Sequence, residues 1–414
     1  MASSASGTVL MMHADADHSQ PGPARSYRGL IILLGIVSAL GPMTTDMYLP
    51  ALPQIAREFS TSEAAVQITL TGSLLGMAVG QIVFGSLSDS FGRRMPLIIG
   101  LFAHTAFSVL SALAPSIGWL IVFRALQGAG SAAAPAIAMA IVRDISTGRN
   151  ASKRYSTIMF IATGAPIVAP LIGSALLLYT DWHGIFLIQG AMAAALAVTA
   201  IIALPETRDV RHHLEQAGFL TGVKALGRDR VFVGSTLSQA AMMAASFCYI
   251  SGLSFVAQDW YGVSQQVYGL ILAGGAVVML GMNRISPRLL RSRTPHRVAV
   301  IGLVGALVVA GLMMLAAPTL GLIGVTITSW LCIGFQQLVT PNNQAMALSG
   351  HSQFAGVASA LIGAASLVAA AISAPLLGLL GTDNGFNMGL AMFAFYALSL
   401  VSSIVIIGRR ADHL

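Results

Sequence analysis

Twelve apolar runs, separated by short polar breaks, account for nearly the whole chain. They cover approximately residues 29–50, 64–86, 95–114, 117–142, 155–178, 184–204, 231–256, 264–283, 297–317, 320–340, 356–381 and 386–408. Each is close to the length of about 20 residues that crosses a bilayer core as a helix. Period-2 alternation is absent, and Leu, Ala, Gly, Val and Met dominate. The pattern therefore predicts an all-α membrane protein rather than a barrel. The longest polar interval, 205–230, splits the runs six and six. The expected organisation is a disordered tail (1–24), a six-helix half (25–204), a linker (205–230), a second six-helix half (231–408) and a short tail (409–414). Twelve spans in two such halves form a transporter architecture, with the solute site near the midplane between the halves.

Composition agrees with this reading. Of 414 residues, 56% are hydrophobic and only 9% charged, against roughly 25% charged in soluble domains. The net charge of +7 reports topology. With the N-terminus in the cytoplasm, every Lys and Arg except Arg57 and Arg124 falls in the tails or in loops on that side. This is the positive-inside distribution, and it places both ends on the cytoplasmic side. No basic patch is interleaved with aromatics, so nucleic acid is not an expected partner. Cys248 and Cys332 both lie in apolar runs and have no disulfide or zinc spacing. No G-x-x-x-x-G-K-S/T loop is present, so ATP is not the expected energy source.

Charge inside the spans is the informative feature. Asp46 alone among the acids lies well inside a span, and Arg124 alone among the bases. An intramembrane charge costs at least about 2.5–3.5 kcal/mol and defaults to a functional role. On these boundaries Asp46 lies a few residues from the outer end of the first span, and Arg124 about seven residues into the fourth. At about 1.5 Å per residue they share a depth within roughly one turn, so they are expected to face each other across a cavity in the first half. Desolvation favours the protonated acid, and a guanidinium favours the carboxylate. The opposed effects make Asp46 a candidate proton switch. Gln127, one turn from Arg124, completes the polar cluster and is counted with the candidates for the substrate-binding wall. Tyr48, Met242, Met243, Phe247, Tyr249, Trp330 and Gln336 are candidates for the cavity wall, since Met and aromatics suit adaptable recognition. His104 reads as a packing histidine, and Gly72, Gly76 and Gly80 as a close-packing helix face.

Several stretches carry a family resemblance. The loop after the second span reads Gly85-Ser-Leu-Ser-Asp89-Ser-Phe-Gly92-Arg93-Arg94, and matches the G-x-L-x-D-x-x-G-R-R/K signature of the major facilitator superfamily. Arg124-Ala-Leu-Gln127-Gly128 resembles the R-x-x-Q-G motif of its drug–proton antiporters. Gly164-Ala-Pro166-Ile-Val-Ala169-Pro170-Leu-Ile-Gly173-Ser174 resembles their fifth-span motif, with Ala169 and Ser174 in place of two glycines. Asp46-Met-Tyr-Leu-Pro-Ala-Leu-Pro53 and Leu204-Pro-Glu-Thr207 resemble the Bcr/CflA drug-resistance branch.

The resemblance implies a proton-coupled secondary transporter rather than an enzyme. It would export small, mostly neutral amphipathic compounds such as chloramphenicol or bicyclomycin by alternating access, with Asp46 carrying the proton and Arg124 tuning it. The implied partners are substrate, protons and lipid. A monomer with no cofactor is expected, exchanging one proton per neutral solute. Export of an endogenous amino acid or dipeptide, and proton-coupled uptake, are the alternatives. A membrane enzyme would need clustered His, acids or nucleophiles, and a receptor a soluble signalling domain. Neither is found.

Overall fold

A computed structural model describes residues 27–146, 148–207, 219–349 and 354–408. Both expected tails, much of the 205–230 interval and the His212-His213 pair lie outside the described residues. Among those described, no strand occurs.

The helices long and apolar enough to cross a membrane are Arg28–Glu58, Glu63–Phe91, Arg94–Ala112, Ile117–Ile145, Asn150–Leu176, Trp182–Ala203, Arg230–Trp260, Gln265–Leu289, Pro295–Leu348, Gly356–Leu380 and Asp383–Ile407. The ninth of these is too long for one crossing, with 54 residues. It breaks at Gly321 (φ 60°, ψ −144°), three residues after Pro318. Only glycine adopts that backbone without strain, so the break yields a ninth and a tenth span, and the described residues hold twelve in all. The spans are hydrophobic on both faces, as lipid contact requires. Their outward faces expose Val79, Ile82, Phe160, Ile202, Val277 and Leu379.

Within the first half, the second span packs on the fourth. Cβ atoms added at Gly72, Gly76 or Gly80 would meet the backbone of Ile121, Ala125 and Ala129. The small-residue face is therefore a backbone-to-backbone seam. Between the halves, the second span lies on the eleventh and the fifth on the eighth. Side-chain bonds cluster at one end of these seams. Arg57 pairs with Asp259 at 2.8 Å, Thr382 donates to Glu63 at 2.6 Å, Ser254 donates to the Leu49 carbonyl at 2.7 Å, and Gln266 donates to the Ser174 carbonyl at 3.1 Å. Thr71 also donates to the Ala371 carbonyl. This end is zipped shut.

At the opposite end, the Gly85–Arg94 stretch is helical through Phe91, not a loop throughout as the sequence suggested, and it closes on its own half. Arg93 donates to Asp89 (2.5 Å), Asp144 (2.9 Å) and Ser88 (3.1 Å). Burial works against the Arg93 charge, but the bonds to Asp144 and Asp89 prevail and hold its pKa above the ordinary arginine value. Glu206 accepts from the backbone N–H groups of Arg93 (2.8 Å) and Arg94 (3.1 Å), and so caps the third span with negative charge. Arg94 itself bonds the Ile201 carbonyl at 2.5 Å. Gly92, at φ 89°, makes the turn, whereas a Cβ on Gly85 would meet nothing within 4 Å. A short helix, Phe219–Leu226, precedes the second half, and its Leu226 packs with Phe232, Phe354 and Ala358.

Candidate functional site

The first span supplies the site because its helix does not run straight through. Regular α-helix ends at Asp46, a 3₁₀ turn follows at Leu49–Ala51, and α-helix resumes at Leu52–Glu58. Pro42, Pro50 and Pro53 remove backbone donors around the break. Carbonyls at the break also accept from side chains: Thr44 from Arg124, and Leu49 from Ser254 across the halves. The span extends to Glu58 rather than stopping near 50. Asp46 therefore lies near the middle of the span, not close to its outer end as the apolar run implied. The polar residues Gln54, Arg57 and Glu58 had masked the continuation.

Asp46 is 8% exposed, accepts a hydrogen bond from Thr45 Oγ1 at 2.9 Å, and opens on a cavity of about 450 Å³. Among the lining residues it is the one acid, and none is basic. The cavity lies between the halves and draws on the first, second, fifth, seventh, eighth, tenth and eleventh spans. Met77, Met242, Met243, Phe247 and Met279 make a soft apolar wall. Gln239, Ser246, Tyr249 and Gln336 supply polar points. Two of these are left unsatisfied: the Tyr249 hydroxyl and Gln239 Oε1 are buried without a partner among the described residues. Such atoms cost roughly 1–3 kcal/mol unless something else satisfies them.

Arg124 does not face Asp46 across this cavity. It is fully buried inside the first half, where Nη1 donates to the Thr44 carbonyl (3.0 Å) and Gln127 Oε1 (2.6 Å). Its guanidinium lies 4.4 Å over the Tyr48 ring and 5.4 Å from Phe186. Among the described residues no ion pair joins it to an acid. The shared depth holds, since the guanidinium on the fourth span reaches the Thr44 carbonyl, but Arg124 is not among the residues that line the cavity on which Asp46 opens. A one-dimensional depth estimate carries no rotation.

The same geometry relocates three expected wall residues. Tyr48 is stacked under Arg124 and hydrogen-bonded to Thr69. Gln127 donates to Ser108 (2.7 Å) and Gln189 (3.0 Å), in a network inside the half. Trp330 faces the eighth span, donating to the Ile271 carbonyl at 2.8 Å. Met243, Phe247, Tyr249 and Gln336 do line the cavity. Gln336 is held by Ser246 (2.7 Å) and Tyr396 (2.8 Å). Gln239, Ser246 and Met279 were missed. Gln239 and Ser246 follow from extending the Met242–Met243 face by i−3/i−4 and i+3/i+4. Met279 had no such signal. His104 is buried, with Nδ1 3.2 Å from the Gln127 carbonyl.

In the fifth span, Pro166 and Pro170 line the cavity. A Cβ on Gly173 would lie 2.8 Å from the Met47 carbonyl carbon and nearer still to its oxygen, while one on Gly164 would meet nothing within 4 Å. Gly173 therefore lets the fifth span touch the broken segment of the first. Ser174 faces Gly269 of the other half, where an added Cβ would lie 2.9 Å from the serine Cβ. The space lost to Ser174 is recovered across the seam.

The family model of the Major Facilitator Superfamily matches residues 34–375. The uncharacterized MFS-type transporter YdgK of Bacillus subtilis is 35% identical, covering 95% of this chain and 98% of its own. The chloramphenicol resistance protein of Pseudomonas aeruginosa is 32% identical over 81% and 80% of the two chains. The bicyclomycin resistance protein homolog of Haemophilus influenzae is 28% identical over 92% and 96%. A solved bacterial homolog of the human lysosomal transporter Spinster shares the fold with a TM-score of 0.74 at 16% identity, over 94% of this chain and 98% of its own. With its twelve spans, its signature loop and a cavity between two halves, the chain belongs to the Major Facilitator Superfamily, in the drug-resistance branch, and is a multi-pass membrane transporter rather than an enzyme.

Proposed function

We propose that the transporter exports small, mostly neutral amphipathic compounds, of the kind typified by chloramphenicol and bicyclomycin, in exchange for protons. The observation that carries this reading is the isolation of Asp46: one carboxyl on an otherwise uncharged cavity wall, with no cationic partner among the described residues. An ionised acid there is costly. Protonation from one side of the membrane, and release when the cavity opens to the other, is the event that such a site couples to solute. The relatives named for chloramphenicol and bicyclomycin resistance support the substrate class.

Placed with its termini in the cytoplasm of the inner membrane, the molecule is zipped at the periplasmic end and faces inward. Solute enters from the cytoplasm and displaces the Asp46 proton inward. The halves then rock, the Arg57–Asp259 end parts, and Asp46 takes a proton from the periplasm as solute leaves. Arg124 acts one layer back. It holds the Thr44 carbonyl at the helix break, two residues from Asp46. One acid exchanges one proton per neutral solute, so the cycle moves net charge. The membrane potential then adds about 2.3 kcal/mol per 100 mV. The proton gradient is the energy source, and a monomer without a cofactor performs the cycle.

Proteoliposomes with an imposed pH gradient test this reading. Chloramphenicol should move against its gradient in the wild type, respond to an imposed potential, and stop moving in Asp46→Asn. Gradient-driven movement that survives Asp46→Asn would refute the assignment.

A further inference from the structure

A second large cavity lies away from the transport path, between the start of the ninth span and the end of the twelfth. It measures about 830 Å³. Its lining combines Arg293, His296 and Arg297 with Val300, Ile301 and Ile404, with no carboxylate among the lining residues. The two helices are tied there by His296 Nε2 and the Ser403 carbonyl at 3.2 Å. The twelfth span widens into a π-helix over Ser402–Ile407, where the same carbonyl also accepts from the Gly408 N–H.

The connection feeding this cleft, Arg284 to Arg297, carries five arginines and no acid. Topology alone accounts for arginines in the loop. It does not account for a cleft that joins them to an apolar trough. Above the cleft, Ile301, Val304, Val308 and Leu312 follow one face of the ninth span at i, i+3, i+7 and i+11, and the last three of them are exposed. Beside them the twelfth span exposes Leu398, Val401 and Ile404. A charged mouth at the membrane boundary therefore continues into a greasy groove on the lipid-facing surface.

We propose that this cleft binds an anionic glycerophospholipid. Its phosphate sits between Arg293 and Arg297, and its acyl chains lie along the trough between the ninth and twelfth spans. Basic pockets between spans recognise such headgroups, and each arginine near the surface is worth about 1 kcal/mol. Removing both therefore weakens binding by about 30-fold. The inference needs only that the spans cross a membrane, and stands whether or not the transport reading does.

Native mass spectrometry of the full-length detergent-purified protein tests it. The probes are palmitoyl-oleoyl phosphatidylglycerol, the matching phosphatidylcholine, and sn-glycerol 3-phosphate. The expected result is a phosphatidylglycerol adduct in the wild type, about 30-fold weaker in Arg293→Gln/Arg297→Gln and unchanged in Arg288→Gln/Arg291→Gln on the same loop. Phosphatidylcholine binds weakly, and glycerol phosphate does not compete. Equal adducts in both double variants, or in both lipids, would overturn the site. Displacement by glycerol phosphate at equal concentration would make it a free-anion site and overturn the lipid assignment. A photoactivatable phosphatidylglycerol provides a check on the unaltered chain. It should label the Val300–Leu312 segment, and labelling spread evenly over all spans would overturn the proposal.

Discussion

Gly173→Ala isolates one contact on which the site depends. The added methyl carbon would stand 2.8 Å from the Met47 carbonyl carbon, whereas ordinary contact begins near 3.4 Å. The first span must retreat by at least about 0.6 Å, and further to clear the oxygen. The strain falls one residue from Asp46, at a break that has few backbone bonds to spare. Overpacking of this kind costs roughly 1–3 kcal/mol. If the closed geometry at the break bears that cost, the population able to cycle falls about five- to 150-fold. Gly164→Ala in the same motif is the control. Its Cβ meets nothing within 4 Å, and alanine is the better helix former by about 1 kcal/mol. Counterflow of labelled chloramphenicol in proteoliposomes, with Tm measured alongside, should show a large loss of transport for Gly173→Ala and near wild-type behaviour for Gly164→Ala. Equal behaviour of the two variants would refute the argument that the fifth span shapes the break by direct contact.

Other outcomes follow from the same geometry. Glu206→Gln removes the charge from two backbone bonds at the start of the third span and should lower stability by about 1 kcal/mol, read as a fall in Tm. Arg57→Ala opens an exposed pair worth at most about 1 kcal/mol. Spin labels placed across that end should report at most an approximately fivefold rise in the open population. Tyr249→Phe deletes a hydroxyl that has no partner among the described residues, so Tm should hold or rise. Substrate affinity should fall by about two- to tenfold if the hydroxyl bonds solute. Trp330→Phe breaks the bond to the Ile271 carbonyl. It should lower Tm and leave KM unchanged, as befits a packing residue.

Periodic apolarity was enough to count twelve spans, because lipid leaves little choice of backbone structure. The one ambiguous case, 295–348, resolves at Gly321, which lies inside the expected 320–340 run. Asp46 and Arg124 stood out because charge within apolar runs is rare. Their relation did not, since it depends on how Arg124 approaches the broken helix that carries Asp46. The break at residues 46–52 is written in three prolines, but the rotation it imposes on Asp46 is set by contacts with Gly173 and Ser254, far away in the chain. Wall residues were legible where they shared a face of one helix, as Met242, Met243 and Gln239 do. Tyr48 and Trp330 look alike in sequence terms, as amphipathic side chains in spans, and only packing against Arg124 and the eighth span takes both out of the cavity. Ser174 in place of glycine makes sense only beside Gly269 of the other half.

The most direct test of the central claim is proton release from purified, unbuffered protein when chloramphenicol is added, comparing wild type with Asp46→Asn. The account predicts release approaching one proton per bound solute in the wild type and none in the variant, with the variant still folded by Tm. Release of equal size from Asp46→Asn would contradict it, because the proton would then come from a group other than the one carboxyl on the cavity wall.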